Sequence, residues 1–220
     1  MLNLNERGYA PGTIGKILAT LNSFYHYCSQ ENLIVKDPTK NIKSPKTPDR
    51  QPVYLDKGQL TELRQMAENP KKRAIIETLY STGVRLSELI NIKLQDINWE
   101  ARLILIKGKG EKERIVLFNA ECEERLKYYL STRHDTIPYL IISDTGNRMY
   151  ARLLQKYFEK YTKKLGFKVS PHTLRHTFAA HLAQKGMPLA CIQELLGHAD
   201  IRDTRIYAKL YEHARRNKLD

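Results

Sequence analysis

Hydrophobic side chains recur at steps of three and four residues along most of this chain, which is the spacing of an α-helix. The first such stretch covers residues 12–30, and its apolar members share one helical face. They are Ile14, Ile17, Leu18, Leu21, Phe24, Tyr25 and Cys28. The pattern predicts an amphipathic helix near the start of the chain.

The same periodicity, together with capping residues, predicts a series of helices after residue 53. Asp56 suits the N-cap of a helix whose Leu60, Leu63 and Met66 face inward. Gly83 suits the left-handed residue that ends a later helix. We predict helices over residues 57–68, 71–81, 86–92, 120–132, 150–164, 171–185, 188–196 and 203–216.

Two short apolar stretches are typical of strands rather than helices. They cover residues 103–106 and 114–118, and the polar segment 108–112 between them suits a hairpin. The predicted fold class is therefore mainly α with a small antiparallel β-sheet (α+β).

Residues 36–52 differ in character from the segments on either side. Prolines interrupt them at 38, 45, 48 and 52, and Lys40, Lys43, Lys46 and Arg50 lie between these prolines. Proline blocks a helix and favours extended backbone. We interpret residues 45–52 as a linker between a helical region, 1–44, and a larger domain, 53–220. The four cations between the prolines would lie along a phosphate backbone, or would simply be solvated.

Composition narrows the possible partners. The formal charge is +13, which favours nucleic acid over a generically cationic surface, and 41% hydrophobic residues allow a real core. The three cysteines have no zinc or disulfide spacing, and we expect Cys191 to be buried among apolar neighbours. The chain shows neither a secretory pattern nor an apolar stretch of membrane-spanning length. We therefore expect a cytoplasmic protein in a reducing compartment, without membrane contact.

Two arginines are candidate phosphate ligands. Arg175 lies in the first turn of a predicted helix, where the dipole already favours an anion, so a cation there suggests a waiting phosphate. The alternative is a surface arginine paired with a carboxylate. Arg85 opens another helix, and Glu88, three residues on, would pair with it or orient it.

Other candidates are weaker alone. His172 and His176 have the i,i+4 spacing of zinc ligands, but no glutamate accompanies them and Arg175 would repel a metal. Lys109 lies between two glycines of the predicted hairpin, and His198 follows a helix-ending glycine; by themselves, an exposed turn lysine and a capping histidine explain them. Tyr207 is one of 13 tyrosines, set apart by Arg202 and Arg205 beside it.

Taken in order, these motifs resemble those of the tyrosine recombinase or phage-type integrase family, most closely its Xer-like members. The resemblance runs from about residue 9 to 211. It is carried by TGVRLSEL at 82–89, KGKGEKER at 107–114, HTLRHTFA at 172–179, LLGH at 195–198, and the tyrosine nine residues later.

The resemblance implies a mechanism that uses neither metal nor cofactor. Tyr207 would attack the scissile phosphate and form a 3′-phosphotyrosyl link, and Lys109 would protonate the departing 5′ oxygen. Arg85 and Arg175 would hold the non-bridging oxygens and His198 would donate a further hydrogen bond, while His172 would assist proton transfer or contact the phosphate. Glu88 would orient Arg85.

The family also implies double-stranded DNA as the partner, with an inverted-repeat site and a tetrameric assembly, and nucleoid association in a bacterium. We assign DNA contacts to Lys43, Lys46, Arg50, Lys107, Lys112, Arg114, Arg202 and Arg205. Residues 1–44 leave room for only part of the family's helical core-binding domain. A DNA-binding remnant or regulator of the same fold, and a relaxing topoisomerase, therefore remain alternatives.

Overall fold

The computed structural model describes residues 4, 6–46, 52–67, 69–108, 113–197 and 202–216 of the chain. The chain divides into two compact units, residues 1–50 and 51–220. Among the described residues, no helix is both long and apolar enough to cross a bilayer.

The first unit contains one long helix, α1, over Pro11–Gln30. Proline begins it, as suits a position whose N–H would have no helical partner. Ile14, Leu18 and Cys28 are buried along one face, which is the periodicity of the sequence, whereas Phe24 is 58% exposed. The predicted helix is confirmed, but its apolar face is only partly covered.

The second unit is built from helices around one three-stranded sheet. Its helices are α2 (Lys57–Met66), α3 (Pro70–Thr82), α4 (Leu86–Leu89), α5 (Ala120–Ser131), α6 (Ala151–Leu165), α7 (Pro171–Gln184), α8 (Leu189–Leu196), α9 (Arg202–Arg205) and α10 (Ala208–Arg216). A 3₁₀ turn covers Leu94–Asp96, and the strands are β1 (Ile97–Asn98), β2 (Leu103–Lys107) and β3 (Glu113–Leu117).

The predicted caps begin these helices. Asp56 and Gln59 form a reciprocal capping box at α2, with the Gln59 backbone N–H donating to the Asp56 carboxylate at 2.8 Å. The Ser170 hydroxyl accepts from the backbone N–H of Thr173 at 3.0 Å, and Pro171 occupies the first turn of α7. Gly83 and Gly166 end α3 and α6 in the left-handed conformation.

The sheet is antiparallel in the order β1-β2-β3. Its register pairs Ile104 with Val116 and Lys107 with Glu113. Ile104 and Val116 are buried, whereas Ile115 is 59% exposed, so the sheet covers the core with one face only. The prediction of a mainly helical fold with a small antiparallel sheet is confirmed.

One core fills the space between helices and sheet, and a smaller cluster lies around α7 and α8. Helix α3 is largely buried and packs against α5 and α7. The smaller cluster contains Ala179, Ala180, Ala183, Ile192, Leu196 and Tyr207. Alanine-rich packing lets α7 and its neighbours approach closely.

Three sequence predictions differ from the structure. The helix expected over 86–92 ends at Leu89, because the backbone then pairs with another loop: Leu94 N–H donates to the Pro138 carbonyl and Leu140 N–H to Ile92 oxygen, each at 2.8 Å. Cys191 is exposed, since Ile192 and Leu196 form the buried face of α8.

The third difference concerns the segment that carries the candidate nucleophile. The helix expected over 203–216 is broken into α9 and α10, with Tyr207 between them. The Tyr207 N–H donates to the Thr204 carbonyl, three residues back, at 3.1 Å, and the Tyr207 carbonyl accepts from Tyr211 at 3.1 Å. The buried phenol is thus fixed at a tight turn rather than on a continuous helix.

Candidate active site

Arg85 is held at the turn between α3 and α4. Gly83 adopts φ +63°, and a side chain there would bring its Cβ within 2.5 Å of the Phe178 ring. This tight turn makes Arg85 the N-cap of α4. Its guanidinium donates to Glu88 Oε1 at 3.0 Å and approaches the Gly197 carbonyl at 3.4 Å, while 41% of the side chain remains exposed. Arg85 can therefore meet a ligand from solvent without losing its anchors.

Glu88 is the buried carboxylate that organises this turn. It accepts from both terminal nitrogens of Arg114 at 2.8 Å and from the Arg85 backbone N–H at 2.7 Å. Burial favours the neutral acid, but the Arg114 hydrogen bonds and the Arg85 N–H outweigh it and lower the pKa of Glu88 to about 2. Glu88 is consequently a fixed anion at neutral pH.

Arg175 is buried, with 5% of its surface exposed, and joins the ends of two helices. Its guanidinium donates to the Gly83 carbonyl at the end of α3 and to the Leu196 carbonyl of α8, the latter at 2.7 Å. Helix C-termini carry partial negative charge, so they suit a cation. Burial and the nearby Arg85 lower the pKa of Arg175 to about 10, which still leaves it charged at neutral pH.

The side chains around Arg175 carry a net positive charge. Arg85, Arg114 and Glu88 all influence the ionisation of Arg175, so three guanidinium groups lie near one carboxylate. A guanidinium has five N–H donors, and the helix-end carbonyls engage only some of those of Arg175. The cluster, formed by Arg85, Glu88, Arg114 and Arg175, is therefore suited to an anion with several oxygen atoms.

Tyr207 is buried beside this arginine cluster. It is 1% exposed and packs with Leu196 and the alanines of α7. Burial raises the pKa of its phenol above the ordinary value of 10, and the nearby Arg175 opposes only part of that shift. The phenol is protonated at neutral pH, and its attack on an electrophile requires a group that takes the proton.

The hydroxyl of Tyr207 meets His176. Its oxygen lies 2.5 Å from His176 Nδ1. His172, one turn earlier on α7, is exposed. Burial, followed by the charges of His172, Arg175 and Lys168, lowers the pKa of His176 below its usual value of 6.5. Neutral imidazole is therefore favoured at the phenol.

The structure brings together only part of the residue set predicted from sequence. Arg85, Glu88 and Arg175 share one cluster, with Tyr207 beside it. Lys109 and His198 lie outside the described residues, as do Arg50 and Lys112, and the side chain of Arg202 is likewise not described. Lys43, Lys46, Lys107 and Arg205 are exposed. Arg114, which the sequence assigns to DNA, has both terminal nitrogens bound to Glu88.

The model of the phage integrase family matches residues 54–213. This segment contains the arginine cluster and the buried tyrosine. The chain belongs to the phage integrase family.

Named relatives place the chain among the tyrosine recombinases of that family. Tyrosine recombinase XerC of Thermodesulfovibrio yellowstonii is 38% identical over 91% of this chain and 72% of its own length. Tyrosine recombinase XerA of Pyrococcus horikoshii is 32% identical over 96% of this chain and 73% of its own length. The Xer-type resemblance predicted from the motifs is confirmed.

A solved structure supports the same placement. The chain superposes on the XerH site-specific recombinase bound to palindromic difH substrate, in a post-cleavage complex, with a TM-score of 0.81 and 26% identity. The match covers 99% of this chain and 69% of that one. The family assignment thus holds in sequence and in fold.

The sequence does not indicate the positions that two residues of the site occupy. In the sequence, His176 is notable only for its zinc-like spacing from His172. Among the described residues, no group of three His, Cys, Asp or Glu could hold a metal ion. The sequence prediction places Arg114 at the DNA, whereas its terminal nitrogens bind Glu88. The sequence contains a signal for His176, its position next to Arg175, but nothing in it indicates which aromatic residue it contacts.

Proposed function

We propose that this chain cuts and rejoins DNA at specific sites through a covalent bond between Tyr207 and a 3′ phosphate. The observation that supports this most directly is the pairing of an anion-binding arginine cluster with a buried phenol. Arg175 affects the ionisation of Tyr207, so cation and phenol are electrostatic neighbours. A phosphodiester supplies the anion that the cluster suits.

The two arginines differ in what they would do. Arg175 is fixed by two helix ends, which makes it a preorganised donor to a non-bridging oxygen. Arg85 is more exposed and would close on a second oxygen as DNA enters. Both interactions strengthen as charge builds on the phosphate in the transition state, and this lowers the barrier.

The remaining roles come from the family motifs. Lys109 protonates the leaving 5′ oxygen, His198 donates a hydrogen bond to the phosphate, and His172 contacts the phosphate or assists proton transfer. The phosphodiester energy is conserved in the phosphotyrosyl link, and a free 5′ hydroxyl of the partner strand then attacks that link. The reaction therefore needs neither ATP nor a metal ion.

DNA would be held by cations outside the reaction centre. Lys43, Lys46, Lys107 and Arg205 are exposed, and Lys107 also lies 3.8 Å from a Glu113 carboxylate oxygen. We propose an inverted-repeat duplex as the target, two duplexes joined by four protomers as the complete assembly, and the cytoplasm as its location. Residues 1–44 would supply part of a core-binding region and residues 53–220 the catalytic domain.

A nicked suicide duplex tests the reaction. Such DNA, made from inverted repeats near the gene and selected by gel shift, loses a short fragment after cleavage and traps the covalent link. Wild type is expected to give a denaturant-resistant protein–DNA adduct, and Tyr207→Phe none. Tyr128→Phe is the matched control, because Tyr128 is 58% exposed on α5.

The outcomes separate the possible functions. No adduct from wild type on DNA that it binds specifically would indicate a DNA-binding protein without turnover. An adduct that persists in Tyr207→Phe would show that another residue is the nucleophile. Relaxation of supercoiled plasmid without any such site would indicate a topoisomerase.

A further inference from the structure

Among the described residues, the hydrogen bond between Tyr207 and His176 is the contact through which the buried phenol could lose its proton. The phenolic oxygen and Nδ1 are 2.5 Å apart, and the two rings are 6.1 Å apart at their centroids. This is a short bond for an O–H donor and a ring nitrogen acceptor. His176 therefore already contacts the atom that would attack phosphorus.

Tyr207 belongs to a cluster of buried apolar side chains. Its other buried members are alanines of α7 and Ile192 and Leu196 from α8, none of which can accept a proton. Free phenolate would be costly in this setting, since charge is poorly solvated there. Deprotonation must therefore accompany the formation of the bond to phosphorus, with an acceptor in place beforehand.

Among the described side chains, the groups that act on His176 favour its neutral, proton-accepting form. They are His172 and Arg175 on its own helix, Lys168 from the segment before that helix, and Tyr207 from the turn between α9 and α10. None of them is a carboxylate that would stabilise an imidazolium. The lone pair on Nδ1 is then available to the phenol, while Nε2 carries the ring proton.

We propose that His176 is a catalytic residue that accepts the phenolic proton when Tyr207 attacks DNA. This rests on the function proposed above. As the bond from the phenolic oxygen to phosphorus forms, the O–H bond breaks and its proton passes to Nδ1. The bond from phosphorus to the 5′ oxygen breaks, and that oxygen takes a separate proton from Lys109. When a 5′ hydroxyl later attacks phosphorus, its proton passes back to Lys109, the bond from phosphorus to the phenolic oxygen breaks, and imidazolium returns its proton to that oxygen.

His172 is the competing acceptor, and position distinguishes the two histidines. His172 is exposed on the first turn of α7, whereas His176 is half-buried and bonded to the phenol. His172 then remains available to the phosphate, as the family motif implies. The two residues would act on different atoms of the same reaction.

The test measures the single-turnover rate of adduct formation on the nicked duplex. His176→Gln retains hydrogen-bonding groups but cannot take up a proton, and it is expected to slow the rate about 100-fold or more with unchanged DNA affinity. His134→Gln, an exposed histidine in a loop, is the matched control. Thermal unfolding of both variants verifies that the fold is kept.

The pH profile gives a readout that a purely structural role would not change. His176 must be neutral to act, so the wild-type rate should fall as pH drops through its folded pKa, and His176→Gln should lose that dependence while His172→Gln keeps it. If His176→Gln destabilises the fold, His176→Ala with added imidazole replaces it. Imidazole should restore part of the rate by occupying the vacated space.

Different results would overturn the role of His176 and the role of Tyr207. Wild-type rate and pH profile in His176→Gln, or a profile changed only by His172→Gln, would overturn the role of His176 and leave the nucleophile standing. Absence of an adduct from wild type would overturn both.

Discussion

Arg114 forms a bidentate ion pair with Glu88, in which each terminal nitrogen of the guanidinium lies 2.8 Å from one carboxylate oxygen. Glu88 in turn accepts from the Arg85 guanidinium at 3.0 Å. Strand β3 is thereby connected to the turn that presents Arg85. Arg114 also lies against Gly197, where an added Cβ would come within 2.9 Å of its Cδ. The direction in which Arg85 points therefore depends on a residue of the sheet.

Arg114→Ala is expected to slow adduct formation about 10- to 100-fold with little change in DNA affinity. It leaves Glu88 with a single guanidinium partner, so Arg85 is drawn further toward that carboxylate. Removing one partner of a buried pair also costs about 3–5 kcal/mol of folding stability. Single-turnover cleavage and urea unfolding measure the two effects.

The controls for this change separate charge from geometry. Arg114→Lys keeps the charge but lacks the planar pair of nitrogens that engages both Glu88 oxygens, so it should not restore the rate. Arg125→Ala removes a surface pair with Glu121 and should be nearly neutral. A loss of DNA affinity with normal cleavage of bound DNA would instead support a direct DNA contact by Arg114.

Glu88→Gln is expected to reduce the pH dependence of stability in acid. The folded pKa of Glu88 is about 2 and its ordinary value is 4.5. Its depressed pKa contributes stability that is complete above pH 4.5 and is lost as pH falls toward 2. The shift in pKa corresponds to a contribution of about 3 kcal/mol to the free energy of unfolding.

Urea unfolding of wild type and Glu88→Gln between pH 7 and pH 3 measures this contribution. The difference in free energy of unfolding between the two proteins should narrow steadily as pH falls below 4.5. A difference that stays constant across that range would show that the carboxylate is not held as an anion by the arginines.

Gly83→Ala is expected to destabilise the catalytic unit more than Gly166→Ala. Both glycines have positive φ, +63° and +74°, so each alanine carries the backbone cost of about 1–2 kcal/mol. At Gly83 the new Cβ also meets the Phe178 ring at 2.5 Å, whereas a Cβ added at Gly166 would have no described neighbour within 4 Å. Overpacking adds about 1–3 kcal/mol.

Thermal unfolding and adduct formation, measured for both alanine variants, distinguish a loss of stability from a displacement of the catalytic arginines. Gly166→Ala should lower only the melting temperature. Gly83→Ala should also slow cleavage, because Arg85 and the carbonyl that anchors Arg175 both lie at this turn. Equal effects of the two alanines would contradict the close packing of this turn.

DNA binding is expected to weaken steeply with salt. Each phosphate contact contributes roughly 0.9 to the slope of log affinity against log salt, because bound counterions are released. Arg205→Ala should reduce that slope by about 1, while Arg125→Ala should not. Fluorescence anisotropy over a salt series measures it, and an unchanged slope in Arg205→Ala would remove that residue from the DNA interface.

Local sequence signals predicted most of the fold. Asp56, Gly83 and Ser170 act over a few residues, and they mark helix ends in sequence as they do in space. Residues 86–92 and 203–216 departed from expectation because distant partners competed with helix propensity. The loop at Pro138 takes the backbone after α4, and burial of Tyr207 interrupts the last helix.

The identity of the candidate groups was contained in the sequence, because arginine, histidine and tyrosine side chains have intrinsic chemistry and the family motifs retain their order. Which group touches which was decided only by tertiary structure. Arg175 meets carbonyls 92 and 21 residues away, and Tyr207 meets His176 across 31 residues. Such contacts arise from packing of whole helices, and no spacing along the chain encodes them.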